Sequence, residues 1–181
     1  MALGEAQQRL LAALRAGGRS PGVPAVPTGS GPVVTELQRR LWLFDQLHPG
    51  TAVHHLAAAW QIDGPLDVER LRAAVTRMVE VHEVLRTTLS ADPNPTATVL
   101  PAQAVRLDLQ EAPGADDAEL QRRTDAVVAA RFEAGGPLVR AAVVRTSPER
   151  ARLVLVAHHC VFDGGSLAPA WATLTTAYAG A

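Results

Sequence analysis

An α/β layered domain, a mixed sheet packed with helices, is the fold class this sequence predicts, and three observations lead to it. Along residues 33–181, apolar runs of strand length alternate with segments of helical period. From Asp67 to about His82, the apolar residues Leu71, Ala74, Val75, Met78 and Val79 form one stripe, with Glu69, Arg70, Arg72 and Arg77 mostly elsewhere on the cylinder. Leu153 to Ala157 is apolar without alternation, the pattern of a strand covered on both faces.

The elements follow in order. Leu3, Leu10, Leu11 and Leu14 recur at helical spacing, so residues 1–16 read as an N-terminal amphipathic helix ended by Gly17-Gly18, a candidate docking segment. Residues 17–32 hold five glycines, four prolines and two serines, the composition of a flexible linker. The lobe proper spans 33–181. Thr35 can cap a helix to about Leu47, with Leu37, Leu41, Phe44 and Trp42 as its inward candidates, and His48-Pro49-Gly50 stops it. A strand is expected from Val53 to Ile62, then the turn Asp63-Gly64-Pro65 and the striped helix. Short strands follow near Leu85 to Ser90, Thr96 to Leu100 and Val105 to Leu109. Asp116 to about Phe132 reads as helix, broken by Gly135-Gly136-Pro137. Leu138 to Arg145 and Arg152 to Cys160 read as strands joined through a turn at Ser147-Pro148-Glu149-Arg150, and a last helix capped by Ser166 runs toward Tyr178.

Bulk properties narrow the function. A chain of 181 residues with 48% hydrophobic content can bury roughly 70% of its unfolded surface in one compact domain. All 17 basic residues are arginine and the net charge is -1, which gives no nucleic-acid signal. Cys160 stands alone, so no intramolecular disulfide can form, and a reducing cytoplasm fits. Nothing is apolar for long enough to span a membrane.

Chemistry concentrates after the buried strand. Ala157-His158-His159-Cys160-Val161-Phe162-Asp163-Gly164-Gly165-Ser166 places two imidazoles, a carboxylate and two glycines at a strand end before a helix, where active sites commonly lie. Adjacent strand residues point to opposite faces, so only one of His158 and His159 can face a given cavity if the strand persists. Gly164-Gly165 would let the backbone turn sharply and a ligand approach. Cys160 beside His159 makes a poor thiol-imidazole dyad for the same alternation. His54-His55 offers no evident metal site, since the two rings diverge and a third ligand is not apparent; packing is the expected role, and no metal is expected. Trp42 and Trp60 read as core or interface aromatics.

His158-His159-xxx-Asp163-Gly164 resembles the H-H-x-x-x-D-G signature of condensation domains in nonribosomal peptide synthetases. Thr35-Glu36-Leu37-Gln38-Arg39-Arg40-Leu41-Trp42 is similar to the family's opening S-x-A-Q-x-R-L-W, and His82-Glu83-Val84-Leu85-Arg86-Thr87 matches H-E-x-L-R-T. The resemblance covers about residues 33–181 and implies one lobe of a chloramphenicol-acetyltransferase-like fold, the amino-terminal one of two, with the histidine motif in a channel between them. It further implies a peptide-bond-forming acyl transfer between aminoacyl or peptidyl groups on the phosphopantetheine arms of two peptidyl carrier proteins. On the same resemblance no cofactor is expected to be bound directly. By the same resemblance His159 is the functional imidazole, His158 its structural partner, and Asp163 an ion-paired loop-shaping residue before Gly164. Arg86 and Arg140 are the candidate partners of Asp163 within the lobe, a partner in the missing half being the alternative, or they are channel and structural supports together with Ser166. An unperturbed imidazole titrates near about 6.5 and an α-amine near about 7.7 to 8, so a histidine can take the amine's proton at neutral pH, or merely orient the amine.

Phe162, Gly165, His54-His55 and Leu89 depart from the family pattern, which shows a small polar residue, tryptophan, Tyr-Asn and phenylalanine there. Such a lobe is expected to be inactive without its second half and to expose an apolar face toward the missing lobe or a neighbouring synthetase subunit. Two other readings stand beside it: a non-catalytic module for docking carrier proteins or subunits, and an ester-forming acyltransferase that shares the histidine motif.

Overall fold

The computed structural model describes residues 31–180. The expected helix at 1–16 and most of the linker lie outside them. Helix α1, Glu36–Leu47, starts with a reciprocal cap: Thr35 Oγ1 accepts from the Gln38 amide and the Gln38 side chain accepts from the Thr35 amide. It stops where Gly50 takes a φ of 97°, a conformation that a side chain would strain. Strand β1, His55–Asp63, follows, and then α2, Val68–Val81, capped by Asp67. A 3-10 turn, Glu83–Arg86, leads into the short strands β2, Thr87–Leu89, and β3, Ala97–Val99, which pair with each other. Strand β4 is Leu107–Glu111, helix α3 Asp117–Ala129, β5 Val139–Ser147, β6 Arg150–His158 and α4 Leu167–Ala179.

The main sheet runs β1-β6-β5-β4, antiparallel except for the parallel β4-β5 pair. That pair needs a crossover, which α3 supplies. Alternation along β6 shows both faces covered. Arg152 reaches Gln121 and Thr124 of α3, whereas its neighbour Leu153 is the register partner of Trp60, whose ring stacks on Trp171 of α4 at 4.1 Å. Leu153 to Ala157 are all buried, as their unbroken apolar run requires. The α2 stripe is buried as read, with Leu71, Ala74, Val75, Met78 and Val79 in the same core as β5 and β6.

Several boundaries move. Leu85 belongs to the 3-10 turn and not to a strand, and Val105 precedes β4, which extends to Glu111. Helix α3 ends at Ala129, three residues before the buried Phe132. β6 begins at Arg150 and ends at His158, so the hairpin turn shrinks to Pro148-Glu149, and Cys160 lies beyond the strand. The largest correction concerns α1. Leu37 and Phe44 are 66% and 41% exposed, and Trp42 is the residue that the helix buries. Its indole Nε1 donates to the Ser90 carbonyl at 2.7 Å, which satisfies the one polar atom that burial would otherwise strand.

Candidate functional site

The site forms where β6 stops. His158 is the last strand residue and its amide donates to the Leu138 carbonyl; the Val161 amide then returns to the His158 carbonyl at 3.0 Å, closing a tight turn with His159 near its apex. The His159 amide donates to the His54 carbonyl at 2.9 Å, so the turn is tied to the chain just before β1. Burial divides the two histidines because the strand stops between them: His158 is 1% exposed at the end of β6, and His159, in the turn, faces solvent.

Hydrogen bonding fixes the proton positions on both rings. The Phe162 carbonyl lies 2.9 Å from His159 Nδ1 and can only accept, so Nδ1 carries the proton and Nε2 is left with its lone pair. In His158 the order is reversed. The Cys160 amide donates to Nδ1 at 3.0 Å, so the proton sits on Nε2, which donates to Asp45 Oδ2 at 2.7 Å. Burial is the larger influence on His158 and holds its pKa below the ordinary imidazole value, outweighing the opposite pull of Asp45. His158 is therefore a neutral scaffold ring.

Asp45, which no motif singled out, organises this region. Its other oxygen accepts from His54 Nδ1 at 2.7 Å, so one carboxylate bridges two imidazoles from α1. His54 and His55 diverge as expected; His55 Nδ1 donates instead to the Val128 carbonyl at 2.7 Å, and its ring packs edge-on to Phe132. The third partner for His54 that was not apparent along the chain is supplied from another element, since ligand atoms of Asp45, His54 and His158 all lie within 4.8 Å. That donor set is poorly suited to a cation. A metal on His158 Nε2 would move the ring proton to Nδ1, against the Cys160 amide.

Asp163 follows the motif turn but pairs with neither candidate arginine. Its Oδ1 accepts from the Ser166 amide at 2.8 Å and from the Ser166 hydroxyl at 2.6 Å. Arg86 donates to the Leu100 carbonyl at 3.0 Å and lies 3.4 Å from Glu83, holding the start of β2 against the end of β3. Arg140 donates to the carbonyls of Val127 and Arg131 and lies 3.9 Å over the Phe132 ring, a site whose burial lowers its pKa from the usual guanidinium value. Ser166 stands at the N-cap of α4 without capping it: its backbone is already helical, and its hydroxyl is spent on Asp163. Gly164 and Gly165 form the expected sharp turn, the Ser166 amide returning to the Asp163 carbonyl at 3.1 Å, and do so without left-handed backbone. A side chain at Gly164 would meet open space, beside an apolar cavity of about 90 Å³ that Leu56, Ala58, Leu155, Phe162 and Leu167 help to line.

The Ser166 hydrogen bonds lower the pKa of Asp163 below its ordinary value, and a depressed carboxylate pKa gives an interaction present above the unfolded value and lost as pH falls through the folded one. The Ser166 amide, which also donates to the Asp163 carbonyl, is accordingly expected to be best protected from exchange at neutral pH and to lose part of that protection on acidification below the ordinary aspartate range, which hydrogen exchange read by NMR would show. Full protection at pH 2 would contradict it. Cys160 is buried, which pushes its thiol up to about 12, so no thiolate forms at neutral pH. Iodoacetamide at pH 8 is expected to label the chain only after denaturation; rapid labelling of the native protein would revive the dyad reading.

His82, in the second motif, faces elsewhere. Its Nε2 donates to Thr173 Oγ1 at 2.9 Å, because that hydroxyl is already committed as donor to Pro169, and the bond ties the end of α2 to α4.

Among the described residues no helix is long and apolar enough to cross a membrane. The family model of the condensation domain matches residues 32–181. Over 164 residues the chain is 36% identical to the phosphinothricin tripeptide synthetase PhsC of Streptomyces viridochromogenes, covering 87% of this chain and 15% of that protein. It is 38% identical over 146 residues to the isonitrile lipopeptide synthase of Mycobacterium tuberculosis, covering 78% of this chain and 6% of the relative. Among solved structures it resembles the X-domain of teicoplanin biosynthesis, seen in complex with OxyB, with a TM-score of 0.76, 27% identity and coverage of 87% and 35% of the two chains. The first condensation domain of the calcium-dependent antibiotic synthetase gives a TM-score of 0.68 at 28% identity, over 81% of this chain and 38% of that one. The chain thus spans little more than a third of these solved neighbours and has the chloramphenicol-acetyltransferase-like fold of their shared family. With its three motifs in order, its mixed sheet and the His158-His159 turn at the tip of β6, the chain belongs to the condensation-domain family of nonribosomal peptide synthetases.

Proposed function

We propose that this chain is the amino-terminal lobe of a condensation domain that forms a peptide bond between acyl or aminoacyl thioesters held on the phosphopantetheine arms of two carrier proteins, and that it is inactive until a second lobe closes the channel. The observation that carries the reading is the exposed His159 ring, whose Nδ1 is occupied by the Phe162 carbonyl and whose Nε2 meets no partner among the described residues. An acceptor amine attacks the donor thioester carbonyl, the new C–N bond forms as the C–S bond breaks, and the proton lost by the amine passes to Nε2. The departing pantetheine thiolate takes a proton in turn, so the ring returns to its starting state. His158 and Asp163 stay out of the proton path: the first is buried on Asp45, the second engaged with Ser166.

Exposed apolar side chains on α1 support incompleteness. Leu37 and Leu47 are 66% and 76% exposed, which is costly for a chain that has to stay soluble unaccompanied. A complementary lobe or neighbouring synthetase subunit is the partner this surface fits, in the cytoplasm where carrier proteins are loaded. Residues 1–16 are proposed as a docking segment on the linker 17–32. The decisive experiment measures amide formation between two loaded carrier proteins with and without a complementary lobe. Product only in the complemented reaction is the expected result. Turnover by the lone chain would overturn the claim of incompleteness, and no product in either reaction would overturn the catalytic reading in favour of a docking module. An ester from hydroxyl acceptors alone would move the chain to the ester-forming class.

A further inference from the structure

We propose that Asp45 is a positioning residue for His159, acting by locking two other imidazoles, His54 and His158, in opposite tautomers on either side of the turn that carries it. This rests on His159 being the acid-base group proposed above. Both oxygens of Asp45 are acceptors in use, one toward His54 Nδ1 and one toward His158 Nε2, each at 2.7 Å. His158 Nδ1 then receives the Cys160 amide, one residue after His159, and the His54 carbonyl receives the amide of His159 itself. His159 is therefore flanked by backbone contacts that both lead back to one carboxylate. A second strut comes from the same helix. Gln38 uses its amide oxygen to cap α1 and its Nε2 to donate to the Cys160 carbonyl at 2.8 Å, so Gln38 and Asp45 hold the turn from two points two helical turns apart.

The arrangement is shielded as well as bonded. Side-chain exposure is 12% for Asp45, 17% for His54 and 1% for His158, and the Phe44 ring lies edge-on to His54 at 5.2 Å while stacking on His48 at 4.2 Å. Phe44 thus has a task that a buried apolar stripe would not explain. In such a low-dielectric setting a bridging carboxylate with both partners holds its geometry, and removing one partner leaves a buried polar group unsatisfied.

The test exploits an asymmetry between acid and amide. In Asp45→Asn the side chain presents one acceptor and one donor where the carboxylate presents two acceptors. His158 cannot adjust, because the Cys160 amide keeps its Nδ1 unprotonated; His54 has to move its proton to Nε2. Imidazole-nitrogen NMR of the full chain at neutral pH is expected to show His158 as the Nε2–H tautomer and His54 and His159 as Nδ1–H. In Asp45→Asn, His54 is expected to switch, His158 to keep its tautomer, and His159 to average between its two. In the complemented assay the same variant is expected to lower kcat about 10- to 100-fold with KM within about twofold, as misplacement of a reacting group does. Unchanged tautomers at His54 and His159 would overturn the proposal, as would zinc binding by the wild-type chain with a tautomer change at His158, which would make the cluster a metal site. Should Asp45→Asn fail to fold, His54→Leu keeps the bond to His158 and removes only the second arm; an unaltered His159 spectrum there overturns the proposal equally. If the wild-type pair makes no amide, the spectra still decide the positioning claim, and the catalytic reading fails alone.

Discussion

Replacing His159 by alanine in a complemented two-lobe enzyme is expected to lower the rate of amide formation about 100- to 10,000-fold, the range for removal of a general base. That corresponds to roughly 3 to 5.5 kcal/mol of barrier, since about 1.4 kcal/mol is tenfold. The fold should hardly notice. The ring is exposed and, among the described residues, its bond is to the nearby Phe162 carbonyl, so stability is expected to change by no more than about 0.5 kcal/mol, within about 2 °C in thermal midpoint. The pairing of a large kinetic loss with an unmoved midpoint separates chemistry from collapse. A loss of less than about tenfold would assign the ring to orienting the amine, and a matching fall in midpoint would make it structural.

Trp42→Ala is expected to be the most damaging single change to stability, at about 3 to 5 kcal/mol. Trp42 is fully buried and in edge contact with the His158 ring, centroids 5.5 Å apart, so its removal empties a large space beside the scaffold histidine. It also leaves the Ser90 carbonyl without its donor. Trp42→Phe, which keeps most of the volume and loses the indole N–H, is expected to cost about 1 to 3 kcal/mol. Denaturant unfolding checks both; near-equal costs would show that the hydrogen bond and not the packing anchors α1.

The sequence pattern was a good guide wherever one element decides its own burial. The α2 stripe is such a case: Leu71, Ala74, Val75, Met78 and Val79 face the core because their spacing leaves no other arrangement of that helix. The same holds for Leu153 to Ala157; the two histidines are divided too, but by the end of β6 at His158 and the turn that follows, not by a strand running through both. Helix α1 defeated this logic. Its inward face is Gln38, Leu41, Trp42 and Asp45, mostly polar or ring-bearing, and its strongest apolar side chains point outward. A signal was present in the opening motif, where Gln38 and Trp42 stand four apart and therefore share a face. Asp45 lies three residues further along it. What the pattern could not supply was the partner, because His54 and His158 reach Asp45 only once separate elements have met. Asp163 was legible in its place but not in its local partner: a serine three residues away holds one carboxylate oxygen, and neither Arg86 nor Arg140 pairs with it within the described residues.

The bridge from Asp45 to His158 joins residues 113 apart in the chain. Closing so long a span costs on the order of 4 kcal/mol of chain entropy before any contact repays it. The corner at the tip of β6 is consequently expected to gain order late in folding, after the hairpin of β5 and β6 has formed from neighbouring residues. A nascent chain grown only as far as Glu149 would possess most of the helices and three of the four main strands, yet leave the carboxylate of α1 facing water with no His158 to hold.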